Sequence, residues 1–514
     1  MARKSHSGFQ WRDKAMKRKN KNRIVHLLLI LLMSMILGGC SFGYEDLRAG
    51  VVTPSGGEIS IGGQYKFKEV MSIEEGKFVD ESNFGDFTAD FGTNRARIGL
   101  EILDEANYQS KMVNTFDYFL EKYRANPNRL DLLTESLEVV TIRSEDRTFY
   151  DVFKIDDDNI VIVKGNNLIK LVKTVLETSP SNVVSEGGPD LGALEDIVEE
   201  PRAGVLIGLR GERDEITNAS SYRTLWITND GEIQEVYEIE DILFPRKEFW
   251  KVEIKREAIG GETLERLSIY PVLKAKEVDL SEKSEVSSAG KFVELDFVGN
   301  NFIGIRTAND AYSSHEAMPY TKTLEIDKYT AYEGVGIEEV SGQEGVTAFM
   351  NSLDQAKMKN EKLDSLEIDL ESFLHSFYLN RNRGRWMMVS RVNATTEEKE
   401  TFYDIPIAMK PSSSLITYDE LTITWDKIID KVPQAIDAFN APGNSFLLIR
   451  TPKYLMMYRI EGENLLSEKP LQMVEIKETD DIIMAEWARG DFVKRWTDVA
   501  LKLGTKIIFV QTKK

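Results

Sequence analysis

The amino-acid sequence predicts a mainly β protein with a few helices. In this prediction a small N-terminal antiparallel barrel or meander precedes a larger C-terminal β-sheet domain that is propeller-like or built of packed sheets. Two observations favour this fold class: short runs of alternating apolar and polar residues, and an apolar strand pattern that recurs with a terminal arginine. A chain of 514 residues with 42% hydrophobic residues is long enough to form two or three domains.

The N-terminal meander is predicted from residues 136–175. Four short runs there alternate apolar and polar residues, and the turn-forming segments RSED, DDD and GNN separate them. Side chains on a strand point to opposite faces in turn, so this alternation is typical of antiparallel strands joined by tight turns. We expect the meander to belong to a β domain over residues 58–176.

The same domain opens with the residues Gly63-Gln64-Tyr65. This start resembles the G-x-W start of lipocalin-type barrels, with Tyr65 at the position where that family has tryptophan. The resemblance implies a small antiparallel barrel and names no ligand.

A repeated strand pattern predicts the C-terminal β-rich domain, over residues 202–514. Four apolar runs with glycine or asparagine near their start close on an arginine, and a second strand follows each of them; these arginines are Arg210, Arg306, Arg391 and Arg450. Recurring hairpins of one character indicate related sheets, as in a propeller or a pair of packed sheets. Apolar residues at helical spacing predict three helices within this domain, at 344–360, 425–439 and 492–503, and the final KIIFVQT predicts one more strand.

Two segments read as connections. Residues 40–57 are rich in Gly, Ser and Pro and predict a tether, and residues 177–201 combine Ser, Gly, Pro and acidic residues and predict an acidic interdomain linker.

The N-terminus predicts an export signal over residues 1–39. A basic segment of 23 residues precedes an apolar run, and the small residues Gly38 and Gly39 lie directly before Cys40, the single cysteine of the chain. This layout is typical of a secretory signal. The sequence Leu37-Gly38-Gly39-Cys40 resembles the lipobox of bacterial lipoproteins.

The lipobox resemblance implies several properties. A signal peptidase would recognise Leu37, Gly38 and Gly39 and cleave before Cys40, which would carry a diacylglyceryl thioether and an N-acyl group such as palmitate. Two acyl chains hold a protein durably on a membrane, whereas one binds reversibly. The alternative is an uncleaved membrane-spanning anchor over 24–44, which has no charged side chain. Both interpretations place residues 45–514 on the extracytoplasmic face of the cell membrane.

Charge distribution argues against nucleic acid as a partner. Residues 1–39 hold nine basic and one acidic side chain of the totals of 65 and 85, which leaves 56 basic and 84 acidic ones, or a net charge of −28, on the rest. A body this acidic repels phosphate backbones, because nucleic-acid affinity depends on Lys and Arg.

The sequence offers no motif that predicts catalysis, a metal site or a cofactor other than the covalent lipid. HEAMP lacks the second histidine of a zinc-binding helix, and no G-x-S-x-G or P-loop pattern occurs. The strand-ending arginines Arg210, Arg306, Arg391 and Arg450 are candidates for binding an anion or a partner if the repeats are related by rotation. The alternative is that each of them pairs with an acidic residue nearby.

These observations favour a non-enzymatic, membrane-anchored lipoprotein of the cell envelope. Membrane lipid would be its partner through Cys40, and a protein or another envelope component would bind its acidic body. Two alternatives remain open at this point: an envelope hydrolase that uses paired Asp or Glu, and a solute-binding lipoprotein of an importer. The latter class needs alternating strands and helices, which the strand-after-strand pattern does not favour.

Overall fold

The structure is a computed structural model. It describes residues 59–74, 76–80, 84, 87–99, 101–143, 148–174, 203–214, 219–229, 236–259, 262–272, 291–309, 318–395, 400–461, 466–507 and 510–511. They belong to one compact unit, Thr53–Lys514. Leu37, Gly38, Gly39 and Cys40, the tether and the acidic linker lie outside the described residues, so the expectations for them and the domain boundaries stay predictions.

A nine-stranded antiparallel sheet forms the N-terminal part of the described chain. Its strands are β1 (Gly63–Ser72), β2 (Thr88–Phe91), β3 (Arg95–Ile98), β4 (Glu101–Asp104), β5 (Asn107–Asn114), β6 (Ser136–Arg143), β7 (Thr148–Lys154), β8 (Asn159–Lys164) and β9 (Asn167–Lys173). The order across the sheet is β4-β3-β2-β1-β9-β8-β7-β6-β5. The two edge strands, β4 and β5, follow each other in the chain with two residues between them. Because two residues span only a short distance, the sheet curls into a half-barrel, which confirms the predicted barrel or meander.

Apolar side chains of this sheet form two separate clusters. Val140 packs inside the curl with Tyr65, whereas its neighbour Val139 packs on the outer face with Phe119. Tyr65, the residue at the lipocalin-like start, is buried and makes an edge contact with Phe91 at 5.8 Å between ring centres. The lipocalin resemblance itself stays a prediction.

A short helix covers the outer face. This helix, α1 (Thr115–Tyr123), begins at Asn114, whose side chain accepts a hydrogen bond from the backbone N–H of Asp117 at 3.0 Å. Arg124 ends it in the left-handed conformation, with φ of 54°, and a 3₁₀ turn (Pro127–Leu130) follows. The cap and the left-handed residue fix the direction in which the end of α1 points.

The C-terminal part of the described chain contains five smaller antiparallel sheets. Sheet 1 has the order β26-β10-β11-β12-β27, sheets 2, 3 and 4 are β13-β14-β15, β16-β17-β18 and β19-β20-β21, and sheet 5 is β22-β23-β24-β25-β28. The strands are β10 (Ala203–Arg210), β11 (Tyr222–Asn229), β12 (Val236–Glu240), β13 (Ile242–Pro245), β14 (Phe249–Ile259), β15 (Glu262–Pro271), β16 (Phe292–Val298), β17 (Phe302–Ala308), β18 (Tyr320–Glu325), β19 (Phe377–Asn382), β20 (Arg385–Thr395), β21 (Glu400–Pro406), β22 (Asp437–Asn440), β23 (Phe446–Arg450), β24 (Tyr454–Arg459), β25 (Gln472–Glu475), β26 (Asp481–Arg489), β27 (Thr505–Ile507) and β28 (Val510–Gln511).

The helices of this part interrupt the succession of sheets. They are α2 (Ile337–Lys359), α3 (Glu361–Asp364), α4 (Leu370–His375), α5 (Trp425–Lys431) and α6 (Asp491–Leu503), with a 3₁₀ turn at Ile326–Ala331. The predicted helices at 344–360 and 492–503 are confirmed. The third was predicted too long, because α5 ends at Lys431 and β22 follows. Pro433, which cannot continue a helix, explains this end.

The four predicted hairpins are confirmed, and they occupy equivalent places. The strand that carries the arginine is the second strand in each of sheets 1, 3, 4 and 5, and the strand after it pairs with it antiparallel. Arg210 and Arg450 end their strands as predicted, but β17 continues two residues past Arg306 and β20 four residues past Arg391, so the predicted strand ends were wrong there. In sheet 1 the first place is taken by β26, which comes late in the chain and pairs with β10. A strand from late in the chain therefore completes sheet 1, and whether the smaller sheets form a propeller stays a prediction.

Side-chain packing connects the sheets in sequence. One apolar cluster joins sheet 1 to sheets 2 and 3 and includes Trp226, Phe244 and Leu295. A second joins sheets 3 and 4, and a third joins sheets 1 and 5. Sheets 4 and 5 meet through an ion pair, in which Arg381 Nε lies 2.9 Å from Asp437 Oδ2. The five sheets therefore form one continuous packed body.

Candidate functional site

Each of the four arginines of the repeated pattern lies directly opposite an acidic residue in the strand register. The opposed pairs are Arg210 with Asp481, Arg306 with Glu294, Arg391 with Asp404, and Arg450 with Asp437. Arg210, Arg306 and Arg391 are all buried. A cation opposite an anion stabilises a strand pair, so the repeated motif combines a hairpin with a local charge pair.

Only two of these arginines use the acid that faces them. Arg391 binds both oxygens of Asp404 at 2.6 Å, and Arg210 binds Asp481. Arg306 instead holds Asp296 at 2.9 Å, and Asp296 also lies 3.8 Å from Arg210. Arg210 and Arg306 thus share Asp296 between sheets 1 and 3, and the Tyr378 ring of sheet 4 lies 4.4 Å from the Arg306 guanidinium.

Arg450 differs from the other three. Its guanidinium donates to the backbone carbonyl oxygens of Glu478, at 3.3 Å, and of Asp480. All four arginines therefore donate hydrogen bonds to carboxylate or carbonyl oxygens of the protein itself. Their role in binding an anion or a partner stays a prediction.

One pair of acidic residues is buried beside a single arginine. Glu265 and Glu294 lie on either side of Arg213, whose Nε is 2.6 Å from Glu294 and whose Nη2 is 3.6 Å from Glu265. Arg256 also contacts Glu265 at 3.0 Å, and Ser220 donates to Glu294 at 2.7 Å. Both carboxylates are thus held by arginine in the interior.

A second set of charges lies where α1 meets sheets 4 and 5 and helix α5. Lys122, near the end of α1, contacts Asp151 of β7 and, at 3.0 Å, Asp426 of α5. Asp151 also accepts hydrogen bonds from Tyr118 at 2.8 Å and from Thr141 at 2.6 Å. The contact of Lys122 with Asp426, between two partly exposed side chains, joins the nine-stranded sheet to helix α5.

The electrostatics of Lys122 and Asp151 favour the ionised pair. Burial alone would raise the pKa of Asp151, but Lys122 and the two hydroxyl donors lower it to about 2. Burial would likewise lower the pKa of Lys122, but Asp151 raises it well above its ordinary value. Each charge is therefore stabilised by its partner.

The next residue pair of the junction is Arg124 with Asp419. Both side chains are almost fully buried, and the Arg124 guanidinium also donates to the carbonyl oxygen of Trp386 at 2.8 Å. Asp419 accepts further bonds from Arg381 at 3.2 Å and from the backbone N–H of Trp386 at 3.1 Å. Arg381 in turn binds Asp437. We call Arg124, Arg381, Arg385, Asp419 and Asp437 the arginine junction.

Arg385 is the third cation of the arginine junction. It interacts electrostatically with Arg124, Arg381 and Asp419, and it remains partly exposed at the surface. Burial and the neighbouring Arg124 lower the pKa of Arg385 to about 10. The junction therefore crowds three positive charges around two negative ones.

No pattern in the sequence predicts this junction. Arg124 and Asp419 are separated by 295 positions, and neither falls in a repeated pattern or a known motif. The four arginines of the repeated pattern were detectable because they recur at the end of similar apolar runs. Charge pairs between distant segments have no such periodicity, and only the folded chain brings them together.

Two further polar residues, His375 and Asp156, have ordinary local partners. His375 lies 2.8 Å from the carbonyl oxygen of Glu371, one helical turn earlier. Asp156, in the DDD turn, accepts hydrogen bonds from the backbone N–H groups of Asp158 at 2.8 Å and Asn159 at 2.7 Å. Within the described ranges, no cluster of three or more His, Cys, Asp or Glu side chains suits a metal ion. None of the helices in those ranges is both long and apolar enough to span a membrane.

Comparison with other proteins does not add a family. No protein-family model matches the chain, and no curated protein matches its sequence.

Proposed function

We propose that this protein is a lipoprotein of the cell envelope, held on the extracytoplasmic face of the membrane by lipid on Cys40, and that its β-rich acidic body binds a partner without catalysing a reaction. The observation that carries the proposal is the sequence Leu37-Gly38-Gly39-Cys40 after a basic segment and an apolar run. The net charge of −28 on the body favours a partner with a basic surface.

The contacts among the described residues support a body that presents a fixed binding surface. The partly exposed ion pair of Lys122 with Asp426 and the buried pair of Arg124 with Asp419 connect the nine-stranded sheet to the C-terminal part. A partner that contacts both the nine-stranded sheet and the smaller sheets would therefore bind one rigid surface rather than two independent modules. A preformed surface of this kind loses little conformational entropy on binding.

The anchor is tested by the variant Cys40→Ser in cells that make the native protein. We expect wild-type protein in the membrane fraction, with an N-terminal peptide whose mass includes a diacylglyceryl thioether on Cys40. Cys40→Ser should keep its leader and carry no lipid. Ser41→Ala, one residue further on, is the matched control and should behave as wild type. A native protein with an unmodified thiol and an intact leader would contradict the proposal.

An envelope hydrolase is the second candidate, and the Glu265–Glu294 pair is the observation that favours it. If the protein is not an enzyme, the two glutamates are structural, because both pair with Arg213 in the interior. The variant Glu294→Gln should then change stability and leave partner binding intact. Loss of a hydrolytic activity of envelope extracts on this substitution, with the fold retained, would favour the hydrolase instead. The third candidate, a solute-binding lipoprotein, has no specific observation in its favour, because the sheets here follow one another without alternating helices.

A further inference from the structure

Strand β5 is a long open edge of the nine-stranded sheet. It has eight residues, Asn107–Asn114, and among the described strands it pairs with β6 alone, whereas the other edge strand, β4, has four residues. The outer edge of β15 is covered in contrast, because the backbone N–H of Leu267 donates to the hydroxyl group of Tyr332 at 3.1 Å. A long edge strand without such cover is a site for association between chains.

A backbone hydrogen bond fixes which groups of β5 face the open edge. The N–H of Thr115, one residue past β5, donates to the carbonyl oxygen of Glu135 at 3.0 Å, and β5 pairs with β6 without a shift in register. Residues of an antiparallel pair alternate between those that exchange hydrogen bonds and those that do not, so every second residue back from Thr115 bonds with β6. The N–H and C=O groups of the residues between them, Tyr108, Ser110 and Met112, therefore face away from β6. None of these groups has a hydrogen-bond partner within the described part of the chain.

The side chains of β5 leave this edge open. The hydroxyl groups of Tyr108 and Ser110 donate to the residue that follows β2, at 2.9 Å, and to β6, at 2.5 Å, which holds both side chains on the inner face of the sheet. The Lys111 ammonium lies 5.2 Å from the centre of the Tyr118 ring, on the outer face. Met112 is 53% exposed. β5 contains no proline and no bulge, the features that protect many edge strands from association.

We propose that β5 is the contact surface for a second copy of this chain, with the two β5 strands paired antiparallel across a two-fold axis at Ser110. In this pairing Ser110 faces Ser110 of the second copy and Tyr108 faces its Met112, so all the outward N–H and C=O groups of these residues find partners. A two-fold axis brings the same patch of both chains together, and an antiparallel pair of identical strands meets this condition. The contact between Tyr108 and Met112 also removes an exposed apolar side chain from water.

The charge of Lys111 selects this register among the alternatives. With Ser110 on the axis, Lys111 faces the neutral Gln109 of the second copy. With Lys111 on the axis, two ammonium groups would lie directly opposite each other, which destabilises a strand pair. With Gln109 on the axis, Met112 would extend past the end of the second β5, so fewer hydrogen bonds would form.

The test places one cysteine on the proposed axis, and it depends neither on the lipid anchor nor on the proposed binding function. Residues opposite each other in a hydrogen-bonded antiparallel pair have Cα atoms about 5.5 Å apart, a separation that a disulfide spans. The full-length Ser110→Cys protein is made in the native cells, treated with a mild oxidant and separated by gel electrophoresis without reductant. We expect a band at twice the mass of the chain, and reductant should remove it.

Met112→Cys is the matched control on the same strand. Met112 is exposed, so chance collisions would link this variant readily, but in the proposed pairing the two copies of residue 112 lie about 13 Å apart along the strands. Met112→Cys should therefore stay monomeric. Wild type reports any linkage through Cys40. If wild type forms a dimer band, the comparison is repeated in the Cys40→Ser background, so the lipid anchor and the pairing of β5 fail independently.

A second pair of variants tests the pairing without a cross-link. Ser110→Lys places two ammonium groups opposite each other on the axis and should shift the purified full-length protein from dimer to monomer in sedimentation, with unchanged circular dichroism. Ile102→Lys, on the other edge strand β4, should remain dimeric, since Ile102 is exposed and lies outside the proposed contact. A monomeric wild type, or equal cross-linking of Ser110→Cys and Met112→Cys, would overturn the proposal, and so would a dimer that Ser110→Lys leaves intact.

Discussion

The guanidinium of Arg124 donates a hydrogen bond of 2.8 Å to the backbone carbonyl oxygen of Trp386, which lies 262 positions further along the chain. The same guanidinium pairs with Asp419. One residue at the end of α1 therefore holds both a strand and a loop of the C-terminal part. The left-handed conformation of Arg124, with φ of 54°, is what turns it toward them.

Replacement of Arg124 by alanine should destabilise the protein strongly. The change leaves Asp419 buried with one fewer cation and leaves the Trp386 carbonyl without this donor. Removing one partner of a buried ion pair costs about 3 kcal/mol. Chemical denaturation should show this loss in the free energy of unfolding. If the nine-stranded sheet then unfolds independently, the single unfolding transition should separate into two.

A surface ion pair between the same two parts provides the control. Arg143 lies 3.6 Å from Asp430, and both side chains are about one-third exposed. Exposed pairs contribute less than about 1 kcal/mol, so Arg143→Ala should have a small effect. Equal losses for Arg124→Ala and Arg143→Ala would show that the burial of the Arg124 pair does not matter.

The pair of Asp151 and Lys122 should make stability depend on pH in the acid range. The folded pKa of Asp151, about 2, lies below its ordinary value of 3.8, so the fold favours the ionised form. The resulting stabilisation, about 2 kcal/mol, is complete above roughly pH 4 and is lost as the pH falls toward 2. Asp151→Asn should remove it. Denaturation at several pH values measures the difference, with the exposed Asp498→Asn of α6 as control, which should follow wild type.

Local patterns were enough to predict the hairpins. The run that ends at Arg306, for example, forms β17 and pairs with the strand that was predicted after it. Alternation and turn residues act within a few positions, so a sequence contains this information directly. The long hairpin of β14 and β15 was not identified, because it lacks the terminal arginine that marked the others.

Tertiary context explains what the sequence could not predict. Apolar residues continue at helical spacing to Phe439, yet Pro433 ends the helix and Ala438 and Phe439 pair with sheet 5 instead. The arginine junction is the same kind of case, since Asp419 joins three segments that have no relation in sequence. A charged residue outside a motif shows no sign of its partner until the fold brings the two together.

The last two strands should hold sheets 1 and 5 together at their outer edges. β27 pairs with β12, and β28 pairs with β25. Deletion of residues 505–514 would expose both edges, which are sites for association between chains. We expect a loss of about 2 kcal/mol in the free energy of unfolding, from the lost backbone hydrogen bonds, and concentration-dependent aggregation by light scattering.

A shorter deletion is the matched control for the terminal strands. Removal of residues 512–514 keeps β27 and β28, so stability and solution behaviour should match wild type. A destabilisation that appears equally in both deletions would mean that strand pairing at these edges is not its cause.

Glu486 on the closing strand β26 should make stability fall as the pH rises. Burial raises its pKa to about 8, and its neighbour is the amide of Asn300 rather than a cation. The hydrogen bond with Asn300 lowers the pKa of Glu486, but burial has the larger effect. The fold therefore favours the neutral carboxylic acid.

The sign of the effect follows from the two pKa values. Below the ordinary pKa of 4.5, Glu486 is neutral in both the folded and the unfolded state and does not affect stability. Between pH 4.5 and about 8, only the unfolded chain releases the proton. The free energy of unfolding therefore decreases as the pH rises across this range, by a total on the order of 5 kcal/mol. Glu486→Gln, which keeps the shape and stays neutral, should match wild type near pH 5 and exceed its stability near pH 8. The exposed Glu475→Gln of β25 is the control, and an equal pH profile for wild type and Glu486→Gln would show that Glu486 is ionised in the folded protein.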